Sequence, residues 1–185
     1  MRAALVAFAA LCAVLLAGCG HSSTISSSGA KKLVLKAADL PGFESFASGP
    51  TASLDVEGSS RENPRRFGRE GGWVERLRRS GPAWIVVSTA DVFHEAKGAR
   101  SDLAAYGDDF AQMRANGLAK RLVPPKIGDA AIAAELVAPG GEKEFAVAWV
   151  SRNASASVTA IGPSNLHLAD VVALVRKQQA KIERG

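Results

Sequence analysis

The chain reads as an α+β domain: an antiparallel sheet of about five strands, with a middle helix and a C-terminal helix packed on one face. Three observations predict it. Residues 73–93 alternate in polarity, turn at Ser80-Gly81-Pro82 and continue β-branched, as a hairpin does. Residues 95–113 change to apolar spacings of three and four, the period of an amphipathic helix. Residues 130–161 hold further apolar runs whose connections are too short for helical crossovers, so they form an antiparallel meander.

Taken in order, residues 32–40 place Leu33, Val34 and Leu35 before Asp39-Leu40-Pro41-Gly42, a short helix or strand stopped by proline and glycine. Residues 47–71 are rich in turn formers (Gly49-Pro50, Gly58, Asn63-Pro64, Gly71-Gly72) and read as a long connection with one or two short strands. In the first hairpin strand, Trp73, Glu75, Leu77 and Arg79 face one way and Val74, Arg76 and Arg78 the other. Residues 83–93 are apolar on both faces, which marks a central strand. The helix carries Ala96, Ala99, Leu103, Tyr106, Phe110 and Met113 on one stripe. It is expected to bend or break near Gly107 and to close at Asn116-Gly117. Strands follow at 130–137, 144–151 and 156–161. Ser164 or Asn165 then caps a terminal helix whose stripe is Leu168, Val171, Val172, Val175 and Ile182.

Ahead of this domain, Arg2 is followed by an unbroken run of small and apolar residues from Ala3 to Ala17. Crossing a bilayer takes roughly 20 apolar residues, so the run is too short to span; it matches the apolar region of an export signal. It ends in Leu16-Ala17-Gly18-Cys19, which resembles the lipobox of bacterial lipoproteins. The resemblance implies cleavage after Gly18 and a diacylglyceryl thioether on the Cys19 sulfur. Residues 1–18 are then signal peptide, residues 19–30 the lipidated cysteine with a flexible Ser/Gly-rich tether, and residues 31–185 the folded domain. Asp39-Leu40-Pro41 early and Gly128-Asp129 before the late hairpin make the domain similar to small lipoproteins of high-GC bacteria. That resemblance implies an envelope binding or accessory domain and assigns no catalytic residues.

Inventory excludes several chemistries. The only cysteines are Cys12, inside the signal, and Cys19, so the mature domain is left without a disulfide or a thiolate metal site. His21, His94 and His167 are the only histidines. His94-Glu95 begins like the zinc-protease pattern H-E-x-x-H, but Gly98 stands where the second histidine belongs. His167 and Asp170 have the spacing of a solvated pair at a helix start. No nucleophile elbow, P-loop or dinucleotide-binding turn occurs. Catalytic residues, metal ligands and cofactors are therefore not assigned.

The net charge is +5, concentrated in a stretch that includes Arg65, Arg66, Arg69, Arg76 and Arg78. In an exported protein such a cluster points to anionic lipid, an acidic wall polymer or an envelope protein rather than to nucleic acid. A solvated edge that discourages strand pairing needs the same residues. Trp73, Trp84 and Trp149 all fall on expected strands, as core residues or as the lining of an apolar pocket. The leading functional expectation is a non-catalytic ligand- or partner-binding domain on the outer side of a cell membrane. A hydrophobic-ligand carrier comes second, and a hydrolase built from scattered Asp, Ser and His third. Replacing Cys19 with serine removes the sulfur that forms the thioether. The variant is expected to stay unlipidated and uncleaved, and mass spectrometry of the N-terminal peptide checks it.

Overall fold

The computed structural model describes residues 24–51, 65–81 and 83–185. The expected signal peptide and Cys19 lie outside the described residues, as does the middle of the turn-rich connection. Seven strands form one sheet: β1 (Glu44–Pro50), β2 (Arg69–Ser80), β3 (Ala83–Phe93), β4 (Ala119–Leu122), β5 (Ala130–Val137), β6 (Lys143–Ser151) and β7 (Ala154–Gly162). With them go α1 (Ala30–Leu33), α2 (Ala96–Ala115) and α3 (Leu168–Arg184). The strand order is β1-β2-β3-β7-β6-β5-β4, and every neighbouring pair is antiparallel.

The α+β class is as expected, but the sheet has seven strands rather than about five. The two strands beyond those five, β1 and β4, are its edges, and β1 overlaps the start of the turn-rich connection where a short strand was expected. An edge strand pairs on one side only, so it needs little apolar content and tolerates proline, as β1 does at Pro50. β2 also starts four residues before the expected alternation, running straight through Gly71-Gly72. These glycines do not turn the chain. A Cβ on Gly72 would lie 1.9 Å from an Asp91 carboxylate oxygen and 2.4 Å from the Thr51 hydroxyl, so the strand passes there only without a side chain.

The helices do not share a face. On β6, Phe145, Val147 and Trp149 pack in one cluster with Val171, Val175 and Ile182 of α3 and with Leu33 and Leu35 near α1. Ala148 and Val150 pack instead with Ala99 and Leu103 of α2. Successive strand residues point to opposite faces, so α2 and α3 cover opposite sides of the sheet. The physical reason lies in the central strands. From Phe145 to Ser151 every residue of β6 is buried, and a strand apolar on both faces needs cover on both.

Both helices also carry local surprises. α2 runs unbroken past Gly107. Ala99 and Leu103 are buried, whereas Tyr106, Phe110 and Met113 remain half-exposed. α3 is capped at His167, not at Ser164 or Asn165: the His167 N–H donates to the Asp170 carboxylate at 2.9 Å. Its buried stripe includes Gln178 and Gln179. Gln178 Nε2 donates to the Thr89 carbonyl (2.8 Å), and its Oε1 accepts from the Ser88 hydroxyl (2.7 Å), which in turn accepts from the Leu35 N–H (2.9 Å). A buried network of this kind stabilises only when every member is satisfied, and here it joins α3, β3 and the N-terminal segment.

Residues 25–30, expected within the tether, belong to the folded domain. Ile25 is 2% exposed, and Ser27–Gly29 forms a 3-10 turn leading into α1. Asn153, in the β6–β7 turn, holds Ile25 from both sides. Its Oδ1 accepts from the Ile25 N–H at 2.8 Å, and its Nδ2 donates to the carbonyls of Ile25 (3.0 Å) and Phe93 (2.7 Å). A serine- and glycine-rich segment is thereby ordered by one amide side chain and one buried isoleucine. Asn153→Ala leaves these buried backbone groups unpaired and is expected to cost about 2–4 kcal/mol. Leu103→Ala, in the α2 core, is expected to cost about 2–5 kcal/mol. Denaturant unfolding monitored by tryptophan fluorescence measures both.

Candidate functional site: a basic pole where the chain enters the domain

Ile25, Asn153 and the ends of β2 and β3 at Arg69 and Phe93 meet at one pole of the sheet. Two grooves flank the Ser27–Gly29 turn there. One, of about 480 Å³, is bordered by Ile25, Lys32, Leu33, Lys181 and Arg184. The other, of about 490 Å³, is bordered by Ala30, Lys31, Thr51, Arg65, Arg69 and Trp73. Lys31, Lys32, Arg65 and Arg184 are exposed. Lys181 is bound to the Asp39 carboxylate, and Glu70 pairs with His94 at 3.0 Å. The doublet Lys31-Lys32 and the late Arg184 went unnoticed in the sequence. Nothing in their local pattern shows that the two ends of the domain come together.

The arginine cluster divides in space. Arg65 and Arg66 are exposed at this pole. Arg69 is not a surface residue: its guanidinium lies buried against Asp91 (3.1 Å) and Thr51 (3.3 Å), with both charged side chains almost fully covered. Arg78 is exposed and bound to Glu44 at 2.7 Å; Arg76, expected to be solvated, is half-buried. Nine residue steps separate Arg69 from Arg78, on the order of 30 Å, so no continuous basic surface joins the two groups.

The tryptophans likewise line no common pocket. Trp73 and Trp149 share a rung of the sheet, through Ala90 and Ala156, but two strands lie between them, and they stand about 14 Å apart. Trp149 is fully buried, its indole N–H donating to Gln179 Oε1 at 2.7 Å. Trp84 meets Phe43 edge-on with ring centres 6.2 Å apart, and the Arg79 guanidinium lies 5.1 Å over its ring. Trp73 carries the ammonium groups of Lys31 and Lys36 over its ring at 4.9 and 5.5 Å.

A cavity of about 180 Å³ lies under the last turns of α2, lined by Gly107, Phe110, Ala111, Ile132, Ala133 and Ala134, with Arg114 and Arg121 at its mouth. It explains why Phe110 is only half-covered. His94 sits on open surface beside Glu70, with its side chain 75% exposed, and His167 serves the cap of α3. Gly128-Asp129 is a structural bracket. A Cβ on Gly128 would lie 2.1 Å from the Val150 carbonyl, and the Asp129 carboxylate accepts the Arg152 N–H at 3.0 Å. Asp39 braces the N-terminal segment in the same way, accepting from the Lys36 N–H at 2.8 Å. Among the described residues, no helix is long and apolar enough to cross a membrane.

These features define an α+β domain with a seven-stranded antiparallel sheet covered on both faces. Its structure is similar to that of the extracellular domain of PknH from Mycobacterium tuberculosis, with a TM-score of 0.60 and 11% identity over 88% of this chain and 96% of that one. At that identity the likeness is one of fold. No protein-family model and no curated protein sequence matches the chain.

One buried charge, midway along β2, gives a direct test of the packing. Burial by itself would raise the carboxyl of Glu75, but the Lys36 ammonium and the Ser45 hydroxyl outweigh it and hold the group below the ordinary glutamate range. A value lower in the folded than in the unfolded state stabilises the fold above about pH 4.3, and that contribution is lost as pH falls through the folded value. The melting temperature of Lys36→Met is therefore expected to fall furthest below wild type near neutrality. The gap should close as pH drops below about 4, and thermal melts across that range check it.

Proposed function

We propose that this chain is a lipid-anchored domain on the outer side of a bacterial cell membrane, where it binds a ligand, polymer or partner protein and carries out no catalysis of its own. The observation that carries this reading is the fold. It covers nearly the whole of an extracellular domain, while the sequence preceding it ends in the lipobox-like Leu16-Ala17-Gly18-Cys19. The similarity to small lipoproteins of high-GC bacteria points the same way.

The carrier reading has the α2 cavity in its favour, yet about 180 Å³ is below the roughly 300 Å³ at which small-molecule sites begin. A lipid chain does not fit there without movement of α2. The hydrolase reading has less support. His94 and Glu70 stand on open surface, and the Asp170 carboxylate is engaged with the helix cap.

Complementation separates these readings. Whatever envelope phenotype deletion of the chain produces in its host, the double variant His94→Ala, His167→Ala is expected to restore wild-type behaviour in full, and Cys19→Ser is not. If the double variant accumulates as a folded protein and fails to complement, the hydrolase reading replaces this one.

A further inference from the structure

Resting on the lipid anchor proposed above, we infer that the pole around Ile25 lies against an anionic membrane surface. Lys31, Lys32 and Arg184 hold it there, and the Arg76–Arg78 end of β2 points away. The first argument is chain length. Ile25 is fixed to Asn153, and only six residue steps separate it from Cys19. At 3.3–3.6 Å per residue those steps reach at most about 20 Å, and the r.m.s. span of a flexible chain of that length is about 13 Å. The headgroup layer of one leaflet takes up roughly 5–8 Å of it. What remains is comparable to the Debye length at physiological salt, about 8 Å. Charges beside Ile25 therefore sit within reach of the surface potential.

The second argument is the charge itself. Lys31, Lys32 and Arg184 are exposed, and the last two share the groove that Ile25 borders. Each basic residue near an anionic leaflet adds to the attraction. Of the nearby acids, Asp39 is bound by Lys181; Glu70, beside His94, and Glu183 are exposed counter-charges, outnumbered by Lys31, Lys32, Arg65 and Arg184. Cations at the end of α3 also favour the negative end of the helix dipole, so their presence alone does not decide their role. Their position around the anchored end of the chain does. By the same geometry, Arg76 and Arg78 lie roughly 23 and 30 Å along β2 from this pole, out of range of the surface.

Orientation on vesicles tests the inference. The full chain, exported by a bacterial host and purified in detergent, is first weighed at its N-terminal peptide. In the lipidated protein the Cys19 sulfur is blocked and Cys12 is gone, so a cysteine introduced by Ser28→Cys or Ser80→Cys is the one reactive thiol. Each is labelled with a fluorescent donor and reconstituted into phosphatidylcholine vesicles, with or without phosphatidylglycerol, carrying a headgroup-linked acceptor. Energy transfer from position 28 is expected to exceed that from position 80 several-fold when phosphatidylglycerol is present. The excess should shrink as salt rises from about 0.01 M to 1 M and the Debye length falls from about 30 Å to 3 Å. The triple variant Lys31→Glu, Lys32→Glu, Arg184→Glu should lose the part that depends on phosphatidylglycerol. Equal transfer from the two positions, stronger transfer from position 80, or indifference to phosphatidylglycerol in a lipidated chain overturns the orientation and leaves the anchor standing. An unmodified Cys19 removes the anchor and the orientation together.

Discussion

Burial of both faces of the central sheet is the constraint from which the architecture follows. β3 and β6 place apolar side chains on both sides, so neither face can be left to water. One helix cannot cover two faces, and the chain supplies two from different points in its course. α2 leaves β3 and crosses one side toward the β4 edge; α3 leaves β7 and folds back over the other. The α3 side still lacks cover beside β2 and β3, and the N-terminal segment supplies it with Ile25, Leu33, Val34 and Leu35. The polar groups drawn in with that cover are satisfied one by one, through Asn153 at the start of the segment and through Ser88 and Gln178 further along.

Much of this was legible from local pattern. The β2–β3 hairpin, most of the span of α2 and the three late strands follow from alternation and from helical spacing, because each is decided by neighbours close in sequence. The sidedness of the helices was also within reach. Residues 83–93 read as apolar on both faces, and that reading already demands a covering element on each. Other features were hidden for physical reasons. β1 and β4 are edges, so their sequences carry a polar, turn-like signature although both are paired. Gly71-Gly72 reads as a turn until Asp91 and Thr51 occupy the space a side chain would need. Gln178 and Gln179 fall on the apolar stripe of α3 by spacing, yet their polarity disguises them as surface.

The basic pole was the least legible part. Its charges come from residues 31 and 32 at one end of the domain and from residue 184 at the other, and no window of the sequence holds both. The arginine run drew attention because it is contiguous. In the fold, contiguity spread it along a strand, turned Arg69 inward to Asp91 and separated Arg65 from Arg78 by most of the length of the sheet. Clustering in sequence is a poor guide to clustering in space for an extended segment, since every residue adds about 3.3 Å of travel.

The union of Ile25 with Asn153 spans 128 positions, and that of Leu35 with Ser88 is sealed only when Gln178, 90 positions beyond Ser88, arrives. Contacts so far apart form late, because the entropy of closing a long loop opposes them until the intervening strands have paired. A chain that emerges from its N-terminus first therefore presents the residues around Ile25 long before their partners exist. During that interval Ile25 and Leu35 lack the groups that later hold them. Once β7 and α3 arrive, both are covered and their backbone groups are paired. Closure of the fold onto its N-terminal segment is thus placed last by topology alone.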